Sequence, residues 1–501
     1  VAAVGKNKNL HKLTAWLFEQ KVVLIFVFLS IGALIASKQS MAFVAGELFT
    51  RVARNSFLVL SLIIPVLAGL GLNFGIVVGA MAAQISLFLT TFWGLSGISG
   101  FLVTVALATP LAVFFGFLVG SLFNKIKGAE MIGGLVLGYF ADGLYQLLFL
   151  FIFGGVIPFR NPDGSPSSLM TPTGVGVKNT LDLTPTVKYA LDTVSMLSIV
   201  EIAFYLVLAV SILSALFRLV KKQGVDWKKT GLTILGAVAV YALTFIPAVE
   251  TFLAADRLML LRAVEIAVLL TVLWQAGRFV WFVLVKKTQF DKKRCLAAIL
   301  AAVLIFALTY LDAVYKVLIA VRLPVMTYLC IGALCLFNQA LMRTRLGQNM
   351  RTVGQSRVVA NAAGINVDRT RIIAMIFSTV LASWGQLIYL QNIGTLATYG
   401  AHTQVGQFAI ASLLVGGASV QKATNKQAIL GVVLFHTLFI VAPLAGKELF
   451  GNAMIGEYFR VFISYGVIAM SLAMHAWKKK APKSSLQVVE GGAPASGKAS
   501  A

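Results

Sequence analysis

The chain is short of carboxylates, cysteine and histidine, and each shortage closes off a class of function. Eighteen aspartates and glutamates stand against 42 lysines and arginines, and charged residues of both signs make up only 12% of 501 residues. A soluble domain is about one quarter charged, so a surface that meets water on all sides is excluded. Three cysteines, Cys295, Cys330 and Cys335, lie in or beside apolar runs without paired or zinc-like spacing and read as small hydrophobes in helices. The four histidines and few carboxylates show no metal-ligand or triad spacing, so no catalytic constellation is read here. Residues 492–499 approach a phosphate-binding loop but lack a Ser or Thr after Lys498, a preceding strand and a following helix. No ATPase is read on this chain, and no cofactor.

What is abundant is apolar length: 59% of residues are hydrophobic and the mean hydropathy is +0.89. A hydrocarbon layer about 30 Å thick takes roughly 20 apolar residues per helix, and lipid tolerates only helices or closed barrels. The pattern predicts an all-α polytopic membrane protein with about 12–14 transmembrane segments and both termini cytoplasmic. Along the chain it reads as a cytoplasmic N-terminus (1–21), an N-terminal transmembrane half (22–157) and an external loop (158–196). Additional transmembrane segments (197–312), a further span (313–342), a cytoplasmic loop (343–371), a C-terminal transmembrane half (372–477) and a disordered tail (478–501) follow. The run 22–36 lacks a small-residue cleavage site and reads as the first span.

The net charge of +24 would suit nucleic acid if the basic residues shared one face, but they fall in short clusters between apolar runs. With the N-terminus inside, the clusters at 124–128, 218–229, 286–294, 343–371 and 478–480 all fall on the cytoplasmic side, as the positive-inside rule demands. Arg51 and Arg54 break the rule and read as part of a short amphipathic helix, 46–55, at the outer interface. No nucleic-acid partner is expected; membrane lipid is.

The cytoplasmic loop is the informative segment. Gly347, Gly354 and Gly364 punctuate it, and Val358, Val359, Ala362 and Ala363 give a short helix with a small apolar face suited to close approach of another surface. From charge alone it reads equally as a basic loop held against anionic lipid. The stretch LGQNMRTVGQSRVVANAAGINVDRTRIIAMIFS (346–378) resembles the loop of ABC-importer permeases that serve branched-chain amino acids, simple sugars and nucleosides. Leu346, Gly347, Asn349, Met350, Arg351, Gly354, Ala360, Ala363, Gly364 and Ile365 carry the match. FAIASLLVGGASV (408–420), EMIGGLVLGYFA (130–141) and, more loosely, AGLGLNFGIVVGAMAAQ (68–84) are similar to other segments of that family, the latter two to its nucleoside-type branch.

The resemblance implies a permease of the bacterial cytoplasmic (inner) membrane, paired with a second permease subunit as homodimer or with a paralogue. ABC ATPase subunits carrying ATP-Mg would dock on the loop, with Gly347, Asn349, Met350, Arg351, Gly354, Ala360, Ala363 and Gly364 as coupling residues. An external substrate-binding protein or lipoprotein would deliver a nucleoside, a simple sugar or a related compound such as riboflavin. The extra segments 197–312 look like an insertion in the family plan.

A solute path in lipid is marked by broken helices and polar side chains. Asn73, Phe74 and Gln84 beside the glycines at 69, 71, 75 and 79 fit that description, as do Tyr139, Asp142 and Gln146, and Gln386 and Tyr389 further on. The bland alternative is that such amides tie neighbouring helices together. His402 reads as one of a polar aromatic belt at the outer mouth, and His436 as a helix–helix hydrogen bonder. The rival to an importer permease is a secondary transporter driven by an ion gradient, with Asp142 or Glu201 as the coupling carboxylate.

Overall fold

The computed structural model describes residues 20–126, 128–221, 227–280, 292–462, 465, 466 and 469. The predicted tail and most of the N-terminal segment lie outside the described residues, as does much of the apolar stretch after 462.

Side-chain caps start the helices that the sequence punctuates. α1 (Lys21–Ser37) is followed by α2 (Met41–Ser61), which opens on Ser40, whose Oγ accepts from the Phe43 amide at 3.3 Å. A kink at Leu62 leads into α3 (Ile63–Leu67). The chain then breaks, resumes in α4 (Ile76–Phe92), and turns into α5 (Gly97–Lys125) and α6 (Glu130–Leu147), the last extended by a π-helical segment, Leu148–Val156. The long loop after it is ordered, and its strand β1 (Thr180–Asp182) is paired later in the chain.

Next come α7 (Met196–Val220), α8 (Trp227–Leu243), α9 (Pro247–Leu253), β2 (Arg257–Met259), α10 (Leu260–Val280), α11 (Lys292–Leu308), α12 (Asp312–Ala320) and β3 (Arg322–Pro324). α13 (Val325–Arg343) leads into two short helices, α14 (Arg345–Gln355) and α15 (Arg357–Ala362). Finally α16 (Val367–Ile393), β4 (Thr395–Ala397), α17 (Ala401–Val415) and α18 (Asn425–Phe450) complete the order.

Among the described residues eight helices are long and apolar enough to cross a membrane, or nine if the pair Arg294–Leu308 and Asp312–Ala320, bent by 87°, counts as one span. Val22–Ser37, Ile76–Phe92 and Thr230–Leu243 are shorter apolar helices. The all-α polytopic architecture is thus present.

Pairing of distant loops separates the two ends of the bundle. At one end β1 pairs antiparallel with β4 and β2 with β3, and the Gly97 amide donates to the Thr186 carbonyl at 2.9 Å. At the other end Gly69, Gly354, Glu130 and Gln421 line one cleft. The loop 158–196 and the basic loop 343–371 therefore lie at opposite ends.

α16 is the central helix, packed against α2, α4 and α5. Trp384 on α16 donates its indole N–H to Thr109 Oγ1 on α5 at 3.0 Å. The main buried core draws on residues 52–191 and 331–432, and none of its members lies between 192 and 325. The segments 197–312 are peripheral, and α10 has no buried residue at all.

One expectation is corrected. Residues 46–55 do not form a separate interfacial helix: they belong to α2, inside the candidate span Met41–Leu67. Val52, Ala53, Asn55 and Ser56 are buried, and the Arg54 guanidinium lies 5.9 Å from the Tyr389 ring centroid, which gives an otherwise misplaced cation an aromatic face within the bundle.

Candidate functional site

The helix break between α3 and α4 begins the site. Gly69 and Gly71 adopt positive φ, 73° and 76°, which turns the chain back on itself. Asn73, fully buried, donates from Nδ2 to Ser378 Oγ of α16 at 3.2 Å, and Ser378 passes the chain on to the Ser61 carbonyl at 3.2 Å. Among the described residues Asn73 Oδ1 has no partner. Phe74 is buried beside it, with its backbone facing Gly138 of α6.

Three helices then bring four polar side chains into one relay. Gln84 comes from α4, Asp142 and Gln146 from α6, and His402 from the first turn of α17. His402 Nδ1 lies 3.0 Å from Gln84 Oε1, and His402 Nε2 lies 2.7 Å from Asp142 Oδ1. Gln146 donates from Nε2 to the other oxygen, Asp142 Oδ2, at 3.0 Å. Behind the relay the Tyr145 ring stands 4.6 Å from the imidazole and stacks on Phe149. Gln84 and His402 are fully buried, while the Asp142 side chain is 21% exposed. A carboxylate on an apolar helix is expensive unless it is paired or faces water; here it has both oxygens occupied and one edge open.

His402 is the residue whose partners the sequence does not show: it lies buried against α4 and α6, 260 positions from its partner Asp142. No spacing motif joins two positions so far apart. The neighbouring polar residues divert elsewhere: Gln391 and Asn392 donate to Asp192 at 3.0 and 2.8 Å, Thr327 donates to it at 2.5 Å, and Tyr399 donates to the Val177 carbonyl at 2.7 Å. These contacts fasten the ordered loop to the bundle. Tyr139 is 60% exposed on α6, and Tyr389 lies under Arg54. Gln386 is buried with neither amide atom partnered among the described residues, and it is not joined to the relay by a hydrogen bond.

At the basic end, Thr344 caps α14, Ser356 caps α15 and Asn366 caps α16, each accepting from an amide three residues on at 3.2, 3.3 and 2.9 Å. The caps fold the loop into successive short turns. Gly347, Met350, Gly354 and Ala360 turn inward: Met350 and Ala360 are fully buried, Gly347 lies against the backbone of Leu341 and Met342, and Gly354 against that of Leu67 and Gly69. Asn349 is half-buried, and Arg351, Ala363 and Gly364 are exposed. Val358 and Val359 stand 80% and 59% exposed beside a groove lined by Arg357, Asn361, Gly364 and Asn366. The two valines thus stand open at a basic surface.

Beneath that face lies an ion triad. Arg357 at the start of α15 and the fully buried Arg371 of α16 both reach Glu130 Oε1 at the start of α6, Arg371 at 2.6 Å. Arg371 also donates to the Phe123 carbonyl at 3.1 Å. Glu130 entered the sequence reading only through resemblance, and its two arginines did not enter as a set. Among the described residues no group of three or more His, Cys, Asp and Glu is placed to hold a metal.

Comparison with known proteins supplies the family context. The family model described as "Branched-chain amino acid transport system / permease component" matches residues 193–474, more than half of the chain, and the match runs through the additional segments 197–312. A nucleoside ABC transporter permease protein, NupC, of Lactococcus lactis subsp. cremoris (strain MG1363) is 30% identical over 158 residues, which is 31% of this chain and 47% of that protein. The chain thus spans about half the length of that relative. No solved structure matches.

Proposed function

Because the chain belongs to the branched-chain amino acid transport system permease family, and is a multi-pass membrane protein, we propose that it is the transmembrane subunit of an ATP-binding-cassette importer in the bacterial cytoplasmic membrane. It pairs with a second permease subunit, a copy of itself or a paralogue, and provides the path for a small polar solute, a nucleoside or simple sugar or a related compound such as riboflavin. An external binding protein or lipoprotein delivers the solute, and ABC ATPase subunits, which hold ATP-Mg, dock on the loop 343–371.

The observation that carries this reading is the connection from the exposed valines of α15 through Arg357 and Glu130 to α6, the helix that holds Asp142. A push on Val358 and Val359 would reach the relay through one ion pair and about three turns of helix. The loop residues divide by role. Gly347, Met350, Gly354 and Ala360 seat the coupling helices on the bundle, while Arg351, Val358, Val359, Ala363 and Gly364 meet the ATPase. The path is lined from Asn73, Phe74 and Gln84 to Tyr139, Asp142 and Gln146, with Gln386 and Tyr389 beyond.

The test is copurification of an ATPase with the tagged full chain from its native host, before and after Val358→Asp. Capture by the parent and its loss in the variant, with equal amounts of folded permease, is the expected result. A parent chain that brings down no ATPase and takes up solute in ATP-depleted cells would sink the proposal. The Asp142–His402 pair is the one feature that favours the other reading, a carrier driven by an ion gradient. That carrier would stop with an uncoupler and ignore ATP depletion.

A further inference from the structure

α2 carries Glu47, Arg51 and Arg54 at spacings of four and three residues, so the three share one face. Arg51 lies ten residues into the candidate span Met41–Leu67, about 15 Å along the helix axis, well inside a hydrocarbon layer about 30 Å thick. Both arginines are half-buried, and the Nε of each is buried without a partner among the described residues. Neither guanidinium closes an ion pair among those residues. A cation at such depth is costly unless an anion or water meets it.

The carboxylates in reach do not balance the pair. Glu47, one turn before Arg51, attracts it without closing an ion pair. Glu457 is taken by Arg460, whose guanidinium lies 4.3 Å from the Phe439 ring centroid of α18. Asp192, held by Asn392 one turn beyond Tyr389, has both oxygens occupied by Thr327, Gln391 and Asn392. Glu47 and Glu457 thus stand against Arg51, Arg54 and Arg460, and one positive charge is left over.

The neighbouring side chains add hydrogen-bonding groups and no negative charge. On α16, a Cβ at Gly385 would lie 3.0 Å from Leu58 Cα, one turn after Arg54, so this turn of α16 runs along the arginine-bearing part of α2. Gln386 follows, fully buried, with neither amide atom partnered among the described residues. Tyr389, one turn on, lies under the Arg54 guanidinium. From α18, which packs against α2, His436 is 4% exposed, has an unpartnered Nδ1, and is coupled electrostatically to Arg51, Arg54 and Arg460. Two guanidinium forks with an amide and an imidazole make a donor set for an oxyanion, since a fork presents parallel N–H groups to two oxygens.

Depth and permanence narrow the occupant. A lipid phosphate sits at the membrane surface, too far from Arg51. A transported solute leaves in every cycle and would strand the charge each time, whereas a resident ion offsets it in all states. We infer that α2, α16 and α18 enclose a site for a resident inorganic oxyanion of the phosphate type, held by Arg51 and Arg54, with Gln386 and His436 completing its hydrogen bonds. The site stands whether ATP or an ion gradient drives the carrier.

The experiment uses the full chain purified in detergent in gluconate buffer and titrated with inorganic phosphate at constant ionic strength, read by melting temperature and by binding of labelled phosphate. The expected result is saturable binding at one site per chain, with a melting temperature that rises over the same phosphate range. Exclusion of phosphate from protein surfaces also stabilises, but that effect does not saturate and acts on every variant alike. Arg51→Gln and Arg54→Gln should lose the saturable part. In gluconate alone Arg51→Gln should melt no lower than the parent, because it removes a charge that lacks a partner, and in phosphate it should melt below the parent. Arg51→Lys, which keeps the charge and loses the fork, should bind phosphate more weakly than the parent and more tightly than Arg51→Gln. Chloride that stabilises as well as phosphate, a parent chain without saturable phosphate binding, or unchanged binding in both glutamine variants would overturn the inference. So would an Arg51→Gln protein that melts below the parent by the same margin in both buffers, which is the mark of a packing role.

Discussion

Arg371 holds Glu130 at 2.6 Å from a position with no solvent exposure, while Arg357 reaches the same carboxylate oxygen from the surface. The two cations therefore do different work on one anion. Arg371 anchors Glu130 to the central helix, and Arg357 connects it to α15. Removing the anion by Glu130→Gln leaves a buried guanidinium without its charge partner, which costs about 3–5 kcal/mol. Arg357→Ala removes a partly exposed member and should cost about 1 kcal/mol or less. The expected pattern is a large fall in the melting temperature of the detergent-purified protein for Glu130→Gln, and near-parental melting with lost transport for Arg357→Ala.

Gly354 tests how α14 is seated. A Cβ there would run into the Leu67 carbonyl oxygen, and one at Gly69, which also has φ of 73°, would lie 2.6 Å from Gly354 Cα. Both obstacles are backbone, which cannot swing aside. Gly354→Ala should destabilise by about 1–3 kcal/mol and lift α14 from the α3–α4 break, so uptake should fall although no charged or exposed residue has changed. A variant that melts and transports like the parent would show that α14 is not fixed at this point.

Asp192 governs the opposite end. It is buried and accepts from Thr327, Gln391 and Asn392, which come from α13 and α16. Asp192→Ala would strand three buried donors, at about 1–3 kcal/mol for each one left unsatisfied. The loop 158–196 should then become sensitive to protease added outside intact spheroplasts. Asp192→Asn should fall between, because its amide can accept from some of these donors but turns an N–H toward another.

Much of this architecture was legible as apolar length. The apolar stretch 101–123 lies inside α5, and α6 with its π-helical extension fills the apolar stretch that follows. Hydropathy reports contact with lipid or protein alike, however, since in a bilayer both surroundings are apolar. It could not show that α7 and α10 stand outside the core while α16 lies at its centre. Nor could it place Arg51 and Arg54, whose charge argued for an interface while their helix neighbours argued for a span; the burial of Val52, Ala53 and Asn55 decided for the span. The relay was half legible. Gln84, Asp142 and Gln146 stood out as polar residues in apolar runs, but joining them required His402, which only the fold brings near.

The close crossing of α5 and α16 gives the last prediction. Gly116 and Gly120 lie one turn apart on α5, and a Cβ on them would come within 2.8 Å of Ile376 Cα and 2.9 Å of Ile372 Cα. Small residues at this spacing let two helix backbones meet where lipid offers no hydrophobic drive for association. Gly120→Leu should push α16 away, cost about 1–3 kcal/mol or more, and disturb Arg371 and Ser378, which project from the same helix. On peripheral α10, by contrast, a side chain at Gly277 would meet nothing within 4 Å. Gly277→Leu should leave melting and uptake near the parental values. Equal damage from both substitutions would mean that the peripheral helices are packed against a second subunit at that point, and comparison of the two variants in detergent and in membranes would separate a contact within the chain from a contact between chains.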